Sequence, residues 1–436
     1  MGFVGMILTA VVVVHFYLWR RLVRASTTPG SRSRRVLTWV LVALAALMVV
    51  TFVGSRSAGM DVERVVAWPG YLWLAMMFYL FVFGLVMEVP RAVATFLVSR
   101  RRRTTALAEG AEGEAAPVDE AVLAGAAAQG GSTAPGTPMT GRPEPEGTAA
   151  DVPAIDRRLF ISRTASAVVA AGALATVGYG VTRALGDPVI ERVPVRLSRL
   201  DPRMSGLRIA VVSDIHLGPL TGRGHTERIV RMINGLEADA VTIVGDLVDG
   251  TVAELGRLAT PLRSLESRYG AYFVTGNHEY YTAGGPLEWI EELRSLGVRP
   301  LRNERVEIRH AGAVLDLAGV NDLNGVPSGD GPDFDRALGG RDANRPVVLL
   351  AHQPVQVTQA AAHGVDLQLS GHTHGGQMAP FNLLVTLQQP VVAGLASVPR
   401  TGGGDTQVYV TRGAGFWGPP VRVGAPPEIT LVELRA

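Results

Sequence analysis

Apolar and polar positions divide this chain of 436 residues into two regimes. In the first, apolar residues run on with almost no polar interruption. Phe3 to Trp19 is broken only by Thr9 and His15, Val36 to Val53 only by Thr38 and Thr51, and Val65 to Met87 forms a third run rich in Trp, Tyr and Phe. Each approaches the about 20 residues that a helix needs to cross a bilayer, so residues 1–103 are expected to form three membrane helices. The first run is short enough to suit a signal-peptide core. No small-residue cleavage pattern follows it, however, and its basic flank lies on the wrong end, so it is expected to be retained. A fourth apolar stretch runs from Ala165 to Val181 within residues 156–184.

The second regime begins at Leu207, where short apolar strands alternate with helical periodicity, the pattern of an α/β or layered α/β domain. Strands are expected at Leu207–Ser213, Ala240–Val244, Tyr272–Thr275, Val347–Ala351 and Leu367–Ser370, and helices at Thr226–Leu236 and Trp289–Leu296. The domain is assigned residues 185–436. Between the two regimes, residues 104–155 are rich in Ala, Gly, Pro, Glu and Thr; such a segment cannot bury enough apolar surface to fold and reads as a disordered linker.

Charge adds orientation. There is no lysine, and arginines cluster after the first run (Arg20, Arg21, Arg24, Arg32, Arg34, Arg35) and after the third (Arg91, Arg100–Arg103). The positive-inside rule makes both loops cytoplasmic. Arg157-Arg158-Leu159-Phe160-Ile161 resembles a twin-arginine export signal and equally supplies a cytoplasmic flank for the fourth helix. Either way the domain after residue 185 is expected on the extracytoplasmic face of a multi-pass cell-membrane protein. His15 and Glu88 lie near helix ends and are expected to be interfacial and solvated. Mean hydropathy is +0.22 and the formal charge only +2, with no basic tract carrying interleaved aromatics, so nucleic acid is not an expected partner. The absence of cysteine excludes disulfides, zinc-thiolate sites and a cysteine nucleophile.

The candidate chemistry sits at strand ends, where open α/β sheets place their sites. The expected strands run into Asp214-Ile215-His216, Gly245-Asp246-Leu247-Val248-Asp249, Gly276-Asn277-His278-Glu279, His352-Gln353-Pro354 and Gly371-His372-Thr373-His374-Gly375-Gly376. Each motif alone is common, but five in this order, each closing a strand, point to a metal centre. Oxygen and imidazole donors without thiolate suit Mn, Fe or Zn.

The ordered set resembles the calcineurin-like metallophosphoesterases, and within them the bacterial membrane-attached branch, where Thr411-Arg412-Gly413, Gly418-Pro419-Pro420-Val421-Arg422 and Pro427-Glu428-Ile429-Thr430 also fit. The resemblance implies a layered αββα fold with two β-sheets and two divalent metal ions. By position, Asp214, His216 and His374 would hold the first ion, Asn277, His352 and His372 the second, with Asp246 bridging. It implies hydrolysis of a phosphate ester by attack of a metal-bridging hydroxide, and the ligand set beside four anchoring helices makes a lipid-linked or envelope-derived ester the expected substrate. His278 would stabilise phosphoryl charge or protonate the leaving oxygen, and Asp249 would orient it. Asp249 read alone also suits a helix N-cap, and Glu279 reads as a supporting or capping residue. Gly250 stands where the protein phosphatases of this superfamily carry an arginine, which disfavours that activity; Arg223 and Arg412 are candidate replacements. Phe416-Trp417 suits either a pocket wall or core. The alternative to an enzyme is a membrane metal-binding sensor without turnover.

Overall fold

The computed structural model describes residues 2–54, 60–112, 157–282, 284–400 and 403–436. Four helices come first: α1 (Gly2–Leu18), α2 (Arg32–Val49), α3 (Met60–Glu112) and α4 (Arg157–Leu185). Among the described residues, three stretches are long and apolar enough to cross a membrane: Arg32–Phe52, Glu63–Ala94 and Leu159–Leu185. The 17-residue α1 continues directly into a π-helical turn, Trp19–Arg24, and packs against α3. Helix α3 runs on to Glu112, into the expected linker, because Thr104–Glu112 is rich in the helix formers Ala, Leu and Glu. From residue 113 to 156 the expected linker lies outside the described residues.

His15 corrects the sequence reading: it is buried, its Nδ1 lies 2.8 Å from the Val11 carbonyl, and Trp73 Nε1 donates to its Nε2 (3.2 Å). Glu88 is likewise paired, with Arg21 at 2.6 Å and the Tyr17 hydroxyl at 3.0 Å. His15 is withdrawn from solvent because a neighbouring helix covers it with a partner, whereas Glu88 is paired but keeps 30% of its side chain exposed. Arg91 and Arg163 add hydrogen bonds to Ser162 and to the Ser26 carbonyl, so the arginines gather at one end of the bundle.

Two six-stranded sheets follow. The first has the order β1 (Val189–Arg196), β12 (Glu428–Arg435), β2 (Arg208–Val212), β3 (Ala240–Val244), β4 (Ala271–Val274), β5 (Val298–Pro300). Only β12 against β2 is antiparallel. The second has the order β10 (Gly394–Pro399), β11 (Asp405–Val410), β9 (Leu367–Ser370), β8 (Val347–Leu350), β7 (Ala313–Gly319), β6 (Glu304–His310). Its inner pairs β11–β9, β9–β8 and β8–β7 are parallel and its outer pairs antiparallel.

The strand period of two decides which side chains go where. Ile209, Val211, Val244, Tyr272 and Val274 enter a core shared with Leu315, Leu317, Val348 and Leu367 of the opposite sheet. Their neighbours Ala210, Val212, Val241, Ile243 and Phe273 face helices α5 (Arg223–Asn234), α6 (Val252–Ala259) and α7 (Leu287–Ser295), meeting Ile229, Leu255 and Trp289. On the far side of the second sheet, Ala318, Val347 and Leu349 meet α8 (Phe334–Leu338) and α9 (Val357–Ala362). The layers are therefore α, β, β, α. Both faces of the central strands are buried, which is why those strands read as unbroken apolar runs.

Candidate metal centre

The site is built where β2, β3, β4, β8 and β9 end. Each strand hands the chain to a tight reversal. Asp214, His216, Asp246, His372 and His374 all have positive φ, between 49° and 72°, among nine such non-glycine residues in the described chain. This conformation costs of order 1 kcal/mol or more per residue. Its concentration on five of the seven expected ligands is a mark of function. Glycines permit the crowding: a Cβ on Gly371 would lie 2.0 Å from Ser213 Oγ and 2.4 Å from Asp214 Oδ2, and one on Gly276 would lie 2.2 Å from Asp246 Oδ1.

Three groups converge, each with its candidate ligand atoms within 4.8 Å of one another: Asp214, His216 and His374; Asp246, His352 and His372; and His216, Asp246 and His278. Asp246 Oδ2 lies between the first two, 3.9 Å from His216 Nε2 and 3.1 Å from His352 Nε2, while its Oδ1 accepts from the His278 backbone N–H (2.8 Å). Asn277 completes the second group with a buried Oδ1 that receives no hydrogen bond.

Proton bookkeeping tests whether cations fit. His352 Nδ1 donates to the Val244 carbonyl at 2.8 Å, so in the neutral ring Nε2 is a lone pair; it has no hydrogen-bond partner and faces a carboxylate oxygen. His216 Nδ1 donates to Asp249 Oδ1 at 2.8 Å, leaving Nε2 as a lone pair 3.1 Å from His374 Nε2, which is itself 3.3 Å from Asp214 Oδ1. Arg422 Nη2 donates to His374 Nδ1 at 3.1 Å, so the neutral His374 ring carries its hydrogen on Nε2; the lone pairs left facing a carboxylate are those of His352 and His216 on either side of Asp246 Oδ2, and positive charge there resolves the conflict. Electrostatics keep two of the rings neutral and put a proton on His352, beside Asp246, where a cation would stand. Burial and neighbouring positive charge push His372 down to about 3 and His374 well below the usual imidazole range, so both rings are neutral donors. Burial raises the Asp214 acid, with His352 and His216 pulling the other way. His352 is driven up, against burial, by Asp246 and Asp214. The residues present fit divalent metal ions.

Around the ligands stand supporting groups. Asp249 Oδ1 accepts from His216 Nδ1 and from His278 Nδ1 (2.7 Å), and against burial these two rings hold its carboxyl well below the usual range. Asp249 therefore orients His278 as the resemblance implied. It is not the N-cap of α6, a role taken by Thr251 with Glu254. Burial lowers His278, but Asp246 and Asp249 outweigh it and bring it to about 9. Glu279, fully buried, accepts backbone N–H bonds from Asp246, Leu247 and Gly276 at 3.1, 2.8 and 2.6 Å.

Arg422 is the residue that sequence reasoning missed as a structural centre. It is 1% exposed and donates to the carbonyls of His374, Arg412 and Gly415, tying the histidine loop to the C-terminal loop. Its only signal in the sequence is a lone charge between Gly413 and Pro427. Arg412 and Arg223 do not stand ready for phosphate: Arg412 pairs with Glu428 and Glu191, each at 2.6 Å, and Arg223 with Glu227 at 2.9 Å. Phe416 and Trp417 split the two roles, Phe416 buried and Trp417 exposed with its ring 5.9 Å from that of His278.

The calcineurin-like phosphoesterase family model matches residues 207–376, which hold every residue of this cluster. A metallophosphoesterase of Helicobacter pylori J99 is 41% identical over 266 residues, covering 60% of this chain and 68% of its own length. The chain belongs to the calcineurin-like phosphoesterase family. A bovine protein, "Transmembrane protein with metallophosphoesterase domain", is 42% identical over 290 residues, 64% of each chain, so this chain spans under two thirds of that relative's length. A solved dimetal phosphatase from Danio rerio aligns over 53% of this chain and 93% of its own, at 11% identity and a TM-score of 0.33.

Proposed function

We infer that this phosphoesterase hydrolyses phosphate mono- or diesters with two divalent ions, Mn, Fe or Zn, at the face of a bacterial membrane. The observation that carries the reading is Asp246 Oδ2, a single carboxylate oxygen facing His216 Nε2 on one side and His352 Nε2 on the other. Asp214, His216 and His374 would hold one ion, Asn277, His352 and His372 the other, and Asp246 both. Bound there, the ions supply a water of lowered pKa and positive charge against the phosphoryl oxygens.

The chain's own residues do the rest. Asp249 fixes the His278 ring through Nδ1, so the opposite ring nitrogen can donate to a phosphoryl or leaving-group oxygen. The His278 side chain retains 13% exposure, which leaves it open to substrate. Tyr281 and Trp417 rings flank it at 5.0 and 5.9 Å and keep bulk water from one side. With Arg223 and Arg412 paired to carboxylates, phosphate binding falls to the ions and His278.

The topology we propose places this domain outside the cytoplasm. The arginine-rich bundle end carries Arg21, Arg91 and Arg163, whereas the domain meets the helices at Arg64, Tyr71 and Gly180. Twin-arginine export would deliver it already loaded with metal.

The full chain in detergent is expected to turn over p-nitrophenyl phosphate or its bis ester once loaded with Mn, Fe or Zn. A folded, metal-loaded protein inert toward both would remove the hydrolase reading. A cysteine introduced as Glu266→Cys is expected to react with a membrane-impermeant maleimide in intact cells; reaction only after the membrane is permeabilised would reverse the topology.

A further inference from the structure

The segment that follows the histidine pair is unlike any other surface of the domain. The 25 residues from 375 to 399 contain no Asp, Glu, Arg or His. Within them, Phe381, Leu383, Leu384 and Leu387 are exposed by 46, 66, 56 and 78%, and Trp417 stands nearby at 58%, its backbone carbonyl and N–H both bonded to the Gln377 side chain. Contiguous exposed apolar surface of this kind marks an interaction site.

What covers it follows from continuity. The patch begins three residues after Met378, and Met378, Val421 and Val423 pack into the same apolar cluster as Val177 and Val181 of α4. The Arg422 N–H donates to the Gly180 carbonyl at 2.9 Å, and a Cβ on Gly418 would lie 3.4 Å from the Tyr71 ring. Gly180 is five residues inside the apolar span that ends at Leu185, and Tyr71 eight residues inside the span that starts at Glu63. At 1.5 Å per residue these contacts lie about 7 and 12 Å inside the ends of the apolar helices. The loops around the metal centre therefore meet the helices near one end of two spans that, at 27 and 32 residues, are longer than the about 20 a bilayer needs, which puts the contact close to headgroup level.

We propose that Phe381, Leu383, Leu384, Leu387 and Trp417 form a surface that inserts into the bilayer beside the spanning helices. It holds the metal centre at headgroup level, so that the phosphate ester it hydrolyses is one carried on a lipid. Leucines and an aromatic at the apolar boundary are the side chains such a surface uses, and a charge-free stretch is what contact with lipid selects, since ionised groups there are costly. The proposal rests on the spanning helices and on the hydrolytic reading given above.

The absence of cysteine makes a direct test simple. Single cysteines at Leu384, at Val42 on α2 and at Glu266, which precedes β4 at the end away from Asn277, are nitroxide-labelled in the full chain in lipid nanodiscs. Collisions with oxygen and with a nickel chelate are then compared. Leu384 is expected to match Val42, with high oxygen and low nickel accessibility, and Glu266 to show the reverse. Nickel access at Leu384 with Val42 in lipid overturns the proposal and leaves the spans standing; nickel access at both removes the spans as well. Shielding of Leu384 from both quenchers means a protein partner and also overturns it. As a second arm, the triple variant Leu383→Ser, Leu384→Ser, Leu387→Ser is assayed on phosphatidic acid in nanodiscs and on p-nitrophenyl phosphate. A fall of at least about tenfold in kcat/KM on the lipid alone supports the proposal. Equal effects on the two, or wild-type turnover of p-nitrophenyl phosphate without phosphatidic acid, overturn the lipid substrate. No turnover of either points to failure of the hydrolytic reading itself.

Discussion

Replacing Glu279 by Gln tests whether a single buried carboxylate holds the two ligand loops in place. Oε2 accepts from the backbone N–H groups of Asp246 (3.1 Å) and Gly276 (2.6 Å), and Oε1 from those of Leu247 (2.8 Å) and Val248 (3.4 Å). Glutamine has the same shape but only one oxygen. Whichever way its amide turns, an NH2 group faces two backbone donors. Burial and the Asp246 carboxylate push the Glu279 acid up to about 7, while those amides pull it down. An unsatisfied buried donor costs about 1–3 kcal/mol. Losing one good bond and one long one therefore costs about 3 kcal/mol, a large part of a domain's stability. For a domain of this size that is a fall of about 6–12 °C in Tm. The assay is thermal unfolding of the full chain in detergent, followed by near-UV circular dichroism, with Glu291→Gln on the exposed face of α7 as the control. Metal content is expected to fall too, since Asp246 and Asn277 lie in the loops released. A shift below about 2 °C with full metal content would refute the reasoning, because the carboxylate would then not be what secures those loops.

Asp249→Asn removes the charge that holds two imidazoles, and steady-state assay of the metal-loaded variant is expected to show kcat lower by about 100-fold; unchanged kcat would free His278 from its assigned role. Gly371→Ala forces a methyl group to within 2.0 Å of Ser213 Oγ, and the variant is expected to lose metal by elemental analysis, whereas Gly284→Ala, with open space around it, is not. His225, which is not itself an expected ligand, gives a pH dependence of stability. Burial and Arg228 lower it to about 4 from an ordinary value near 6.5. The unfolded chain thus takes up the proton first, stability is whole above about pH 6.5 and is lost as pH falls towards 4. Between pH 7.5 and 5 the loss is about 2 kcal/mol, and His225→Gln is expected to remove that part of the Tm slope.

Much of this architecture was legible because strands buried on both faces read as unbroken apolar runs. Ala240–Val244 and Leu367–Ser370 fall on the expected residues and the other three expected strands shift by a residue or two, whereas β1, β5, β6, β7, β10, β11 and β12 were not expected, several of them being edge or half-exposed strands without an apolar run. The ligand types were legible because five such motifs in order, each closing a strand, have no shared structural use, although each alone is common. The left-handed backbone at Asp214, His216, Asp246, His372 and His374 was not, since Asp and His are only enriched there and most of them sit at negative φ. Nor were the partners of His15 and Arg422. Both depend on contacts between segments far apart in the chain, Trp73 in one case and the histidine loop in the other, and local pattern carries no trace of them.

The central claim is that Asp246 joins two cation sites. Elemental analysis of the full chain, loaded with Mn, Fe or Zn and desalted, measures this directly. About two ions per chain are expected for the wild type, about one for His372→Ala, and fewer than one for Asp246→Asn, in step with phosphatase activity. A folded wild-type chain that retains no divalent ion, or an Asp246→Asn chain that retains both, would contradict the account.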